Sequence, residues 1–107
     1  MYYVYILRCR GGVYYTGLTV DVPRRFRLHK AGKGAKFTRA YPPEAIAALW
    51  RCGDKVTAAR VEYAIKKSLT HRQKERLIAA PETLPQLLPQ LSALPIQPLP
   101  TDSVAIQ

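Results

Sequence analysis

Five of the seven tyrosines fall within the first 15 residues of this 107-residue chain. Tyr5 and the run Tyr15-Thr16-Gly17 are followed, eight residues past Gly17, by Arg25, then by His29 four residues on, and far downstream by Glu62. A phenol has an ordinary pKa of about 10, so it ionises near neutral pH only beside positive charge. A guanidinium offers a planar fork of donors to two phosphate oxygens. A carboxylate oxygen is a hard donor suited to Mg²⁺ or Mn²⁺, and an imidazole can move a proton or bind phosphate. These types together make acid–base and anion-binding chemistry. Each also has a plainer reading. Hairpins favour aromatic residues, which suffices for Tyr2, Tyr3 and Tyr14. Arg25 can be an exposed helix arginine, Glu62 can pair with Lys66 at i,i+4, and His29 can close an apolar stripe by packing alone. His71 reads as a surface residue.

The charge is unevenly placed. The chain carries 17 Lys+Arg against 7 Asp+Glu, a formal net charge of +10. Residues 81–107 hold no Lys or Arg, only Glu82 and Asp102, and six of the nine prolines. Residues 1–80 therefore carry +12 and form a basic domain, while 81–107 are a Pro-rich tail. So large a surplus on a small domain points to a polyanion, most often nucleic acid. Arg24, Arg27, Lys30, Lys33, Lys36 and Arg39 are natural contacts for a phosphate backbone, positioning it without reading bases. Lys66, Lys67, Arg72, Lys74 and Arg76 form a second basic group. Gly32-Lys33-Gly34 lacks the spacing of a P-loop, which argues against nucleotide binding. No apolar run approaches the roughly 20 residues of a membrane span, and no secretory leader is expected. Cys9 and Cys52 lack C-x-x-C spacing and a zinc-like partner set, and read as reduced core thiols of a cytoplasmic protein.

The elements that must carry these residues follow from patterning. Tyr2 to Cys9 reads as a strand with Tyr3, Tyr5, Leu7 and Cys9 on one face and Val4, Ile6 and Arg8 on the other. Arg10-Gly11-Gly12 is a turn, and Val13 to Leu18 is the returning strand of a hairpin. Asp21 can cap a helix from Val22, with Pro23 in its first turn and Val22, Phe26 and His29 on one stripe. Residues 31–39 form a glycine-punctuated basic loop, and Ala45 to Trp50 reads as a buried third strand. A second helix is expected over about 57–68, and a third from a Thr70 cap to near Ala80-Pro81. The order is ββαβαα: an α/β (α+β) domain with a small three-stranded antiparallel sheet flanked by helices. In the tail, Leu84, Leu87, Leu88, Leu91 and Leu94 make a helical stripe broken by Pro85 and Pro89, a short kinked helix able to dock. Disorder is expected from Pro95 onward.

The tripeptides Tyr3-Val4-Tyr5 and Tyr15-Thr16-Gly17, the Arg25 of PRRF and the Glu62 of VEYAIKK, in this order, resemble the GIY-YIG nuclease superfamily. DVPRRFRLH, GKGAKFTR and LTHRQKERL make the chain most similar to its small single-domain bacterial, YhbQ-like branch. The resemblance covers residues 1 to about 80. Tyr3 and Thr16 replace the first Gly and the middle Ile of the name motif, and both motif tyrosines remain.

What the resemblance implies is metal-dependent hydrolysis of phosphodiester bonds in DNA, single-stranded or branched forms included, in repair or processing. Tyr5 and Tyr15 would contact the nucleophilic water and the phosphate, one of them as general base. Arg25 would hold the phosphate and Glu62 one Mg²⁺ or Mn²⁺. Beside these, the position of His29 one turn after Arg25 suits it to assist proton transfer or to bind phosphate. This carries a geometric condition. A two-residue Gly11-Gly12 loop would pair Arg8 with Tyr15 and put the two tyrosines on opposite faces. A three-residue loop pairs Leu7 with Tyr15 and Tyr5 with Gly17, and both then share a face, with open space expected over Gly17. Two other readings of the residues stay open: a non-catalytic basic module binding DNA or RNA, and an adaptor whose Pro-rich tail recruits a protein.

Overall fold

β-Branched and aromatic side chains run unbroken at the start of the chain, and they form strand β1 (Tyr2–Cys9). The structure, a computed structural model, describes residues 1–104. Gly11 and Gly12, both at positive φ (85° and 75°), turn the chain into β2 (Val13–Thr19). The register is that of the three-residue loop: Cys9 opposite Val13, Leu7 opposite Tyr15, Tyr5 opposite Gly17.

Asp21 then opens α1 (Val22–Lys30), its carboxylate accepting from the Arg24 N–H at 3.1 Å. Residues 31–39, expected as a loop, run into a short helix α2 (Lys36–Ala40). The reason is local: past Gly34 no breaker remains before Pro42, and the Thr38 hydroxyl binds the Ala35 carbonyl. The chain continues through β3 (Pro43–Cys52) to α3 (Lys55–Ser68), capped by Asp54 accepting from Thr57 N–H at 2.7 Å. A reciprocal Thr70–Gln73 capping box opens α4 (His71–Ala79). Tail residues 81–91 form 3₁₀ turns around a four-residue helix, α5 (Leu84–Leu87), cut short by the prolines as their spacing demands.

The sheet has four strands, not three, in the antiparallel order β2-β1-β3-β4. The fourth, β4 (Ile96–Leu99), comes from the tail segment whose composition suggested disorder. Pro98 lacks an N–H, but β4 lies at the sheet edge, where a proline is tolerated. The rest of that expected disorder falls on Thr101–Ser103, which form a 3₁₀ turn, and on 105–107, which lie outside the described residues.

Both faces of the sheet are covered. On one, Val4, Ile6, Ala48 and Trp50 pack under α3, α4 and the tail leucines Leu84, Leu88 and Leu91. On the other, Tyr5, Leu7, Cys9 and Leu49 meet Val22 and Phe26 of α1. A register shift in β3 between Ile46 and Ala48 turns Ile46 to the α1 face and Ala48 to the other, which explains why this strand reads as continuously apolar. Cys9 and Cys52 are buried free thiols.

Candidate active site

The hairpin register brings Tyr5 and Tyr15 to one face with ring centroids 6.5 Å apart. Tyr5 is almost wholly buried, at 2% exposure, while Tyr15 is half-buried beside it. Helix α1 crosses this face, and the spacing that buries Val22 and Phe26 also buries His29. The Tyr5 hydroxyl lies 2.8 Å from His29 Nε2, and His29 Nδ1 lies 2.7 Å from Thr38 Oγ1. Thr38 Oγ1 donates to the Ala35 carbonyl at 3.2 Å, which spends its only proton. Its oxygen must then accept from His29 Nδ1–H. Nε2 is left as a lone pair facing the phenol, so Tyr5 donates to His29. The chain of bonds fixes one tautomer.

Two glycines make room for this chain. A Cβ on Gly17 would collide with the hydroxyl and Cζ of Tyr5, and a Cβ on Gly34 with the Nδ1 edge of His29. Neither has a positive φ, so the requirement is for space. The space over Gly17, expected to be open for a phosphate, is filled by Tyr5's own ring: the ring leans across the hairpin toward its partner strand.

Electrostatics separate the groups. Burial pushes the Tyr5 phenol up to about 12, opposed by Arg25 and reinforced by Tyr15 and Glu62. Tyr15 is also raised, first by burial and then by Glu62, with Arg25 again opposing. Burial, with the Arg25 charge added, lowers His29 to about 4, so it is neutral at physiological pH. Arg25 is the one cation felt by all three groups. Its Nη2 reaches the Gly34 carbonyl at 3.5 Å, while its buried Nε has no partner among the described residues. A guanidinium held in place with a donor unspent is suited to an anion.

Helix α3 packs on the opposite face but runs past β2 at the edge of the sheet. There it presents Glu62, 25% exposed, with Lys66 at 3.7 Å, and Lys66 also stands 5.3 Å over the Tyr15 ring. The i,i+4 pair is therefore real, and it lies at the site's rim. Among the described residues no three His, Cys, Asp or Glu cluster as a metal cage. A lone partly buried carboxylate still fits Mg²⁺ or Mn²⁺, which hold one or two protein oxygens, keep waters and take further oxygens from substrate phosphates.

The six basic positions Arg24, Arg27, Lys30, Lys33, Lys36 and Arg39 are all exposed along α1, α2 and the turn between them. None forms an ion pair among the described residues. His71 is half-exposed but stacks on Tyr14 at 4.8 Å, away from the two-tyrosine face. Thr38 and Gly34 were not singled out by sequence. A threonine within a run of cations reads as surface, and only the fold turns it inward.

A family model of the GIY-YIG catalytic domain matches residues 1–76. The chain belongs to the GIY-YIG family. Within the family it is similar to the UPF0213 protein BH0048 of Halalkalibacterium halodurans, 47% identical over 78 residues, covering 73% of this chain and 82% of that one. The UPF0213 protein YhbQ of Salmonella arizonae is 44% identical over 90 residues, 84% of this chain and 89% of the relative. A solution NMR structure of BH0048 from Bacillus halodurans covers 82% of this chain and 97% of its own, at 43% identity and a TM-score of 0.48. This is a small, YhbQ-like GIY-YIG protein, of a family that generally comprises endonucleases.

Proposed function

We propose that the protein is a metal-dependent endonuclease that hydrolyses phosphodiester bonds in DNA, acting in the cytoplasm in processing or repair. The observation that carries this reading is the Tyr5–His29–Thr38 chain of hydrogen bonds, set beside Tyr15 and under the field of Arg25. In-line displacement needs a deprotonated water and charge on the phosphate. Arg25 would take the phosphate oxygens. Anion binding there also offsets the positive field that lowers His29, so the imidazole becomes a better proton acceptor as substrate arrives. Tyr5 would pass a water proton along its bond to His29 Nε2, with Thr38 holding the ring. Tyr15, raised by burial and packed 5.0 Å from the His29 ring with no hydrogen bond to it among the described residues, would position the water and phosphate. Glu62 would hold the divalent ion, which when bound supplies counter-charge to the phosphate and acidifies water. The exposed cations from Arg24 to Arg39 would carry the strand's backbone.

The test is cleavage of single-stranded, nicked and branched DNA with Mg²⁺ or Mn²⁺, run beside Tyr5→Phe and Glu62→Ala. Each substitution is expected to cost about 10²–10⁴-fold in rate. Cleavage surviving both would overturn the mechanism. Binding without cleavage, across all substrates and both metals, would replace it with a nucleic-acid-binding module.

A further inference from the structure

The aromatic line of the site does not stop at Tyr15. Phe37 of α2 lies 5.8 Å from the Tyr15 ring, and Tyr41, four residues on, lies 5.3 Å from Phe37. The interplanar angles, 33° and 43°, leave tilted faces rather than a closed stack. Counted from Tyr5, four rings thus run from a buried phenol to solvent. The two outer ones are open, Phe37 at 37% and Tyr41 at 44% exposure. The packing of Tyr41 near the Gly11 turn accounts for one edge of that ring. It does not account for two neighbouring aromatic residues that both stay more than a third exposed. Lys36 and Arg39 lie exposed on the same short helix, and Lys33 just precedes it.

We propose that Phe37 and Tyr41 are a stacking platform for an unpaired nucleobase of the DNA strand whose phosphate occupies the two-tyrosine site. The proposal rests on the nucleic-acid reading above. Aromatic faces beside a track of cations are the combination that holds single strands: the cations follow the phosphates and each ring accepts any base by its π-face. The position selects the occupant further. A base in an intact duplex is stacked on its neighbours and cannot reach these rings, whereas a base in a single-stranded segment or at a junction can. The platform therefore favours DNA that is unpaired next to the cleaved bond, with little preference among bases.

The experiment uses the full chain in a chelator, so that nothing is cut, and short single-stranded DNA carrying one 2-aminopurine. Three DNAs are compared: the intact oligonucleotide, the same with an abasic site at the position of greatest quenching, and a blunt duplex. The unmodified protein is expected to quench the probe and to bind the intact strand more tightly than the other two. Phe37→Ala and Tyr41→Ala are each expected to weaken the intact strand by about tenfold, to reduce quenching, and to leave the abasic strand unchanged. Phe37→Trp should retain quenching. Equal losses on intact and abasic strands, or no loss on either, would overturn the platform. Should Phe37→Ala fail to fold, the exposed Tyr41 carries the same test. Quenching with no cleavage in Mg²⁺ would keep the platform and remove the nuclease; cleavage with no base dependence would do the reverse.

Discussion

The two-tyrosine face and the tail flank the same sheet but are held together by different means. The site is held by directional contacts that tolerate no displacement. Tyr5, His29 and Thr38 are linked by bonds of 2.8 and 2.7 Å, with glycines where any side chain would collide. The tail has almost no charge and is held by leucines, by the Trp50 indole donating to the Pro81 carbonyl at 3.1 Å, and by the β4 ladder. Apolar burial is non-directional and adds up roughly by area, so it stabilises without specifying a reaction. Polar geometry does the converse. Damage to the tail should therefore show in stability alone, and damage to the site in rate as well.

The largest effect expected is in the tail. Leu88 is 3% exposed in the core shared with Trp50 and α3, and Leu88→Ala should cost about 2–5 kcal/mol of unfolding free energy, measured in urea. Cleavage per folded molecule, assayed well below the melting temperature, should not change. A drop in that rate would mean that the tail shapes the site and would erase the distinction.

Acid should act on the site side alone. His29 is lowered to about 4 from an ordinary 6.5, so between these values the unfolded chain binds a proton that the folded protein refuses. Stability is thus complete above about pH 6.5 and is lost as pH falls toward 4, by up to about 3 kcal/mol. Urea midpoints at pH 7.5 and pH 5 should differ for the unmodified protein and converge in His29→Gln. A difference that persists in His29→Gln would assign the acid sensitivity to other groups. The tail offers only Glu82 and Asp102 to titrate.

A smaller loss should follow from removing the ring's anchor. Thr38→Val leaves His29 Nδ1–H buried without an acceptor, which costs about 1–3 kcal/mol. The same disorientation should slow cleavage roughly tenfold to a hundredfold while leaving DNA affinity intact. Thr38→Ser, which keeps the hydroxyl, should restore the rate. Rescue failing with Ser would show that the methyl, not the hydrogen bond, places His29.

What could be read beforehand divides along the same line. The hairpin, the Asp21 cap and the Thr70 cap follow from local rules of alternation and capping chemistry. The shared face of Tyr5 and Tyr15 is instead the condition that the family resemblance sets, since the residues alone allow a two- or a three-residue loop. Asp54 caps α3, which begins two residues before the expected start, and the apolar spacing does not mark it as a cap. The Thr38–His29 bond spans nine residues across a turn, and no periodicity announces it. The leucine stripe of the tail docks as its spacing suggests, with Leu84, Leu88 and Leu91 in the core. The segment from Pro95 differs for another reason. Its low charge and prolines match a disordered composition, yet Ile96–Leu99 pair with β3, and Pro98 falls on an edge that needs no N–H there. Composition describes a segment alone; burial depends on what the rest of the chain leaves open.

The smallest effects should come from the rim, and they sharpen the comparison most finely. Lys33 and Lys36 are exposed and unpaired among the described residues, so removing either should barely touch stability. If each neutralises one phosphate, Lys33→Ala or Lys36→Ala should reduce the slope of log affinity against log salt by about 0.7–0.9. The affinity loss should be uniform across sequences, because a phosphate contact carries no base information. Gln86, equally exposed but on the tail, supplies the control: Gln86→Ala should leave the slope unchanged. A slope that falls for Gln86→Ala as much as for Lys33→Ala would mean that DNA crosses both regions, and that the uncharged tail is part of the binding surface.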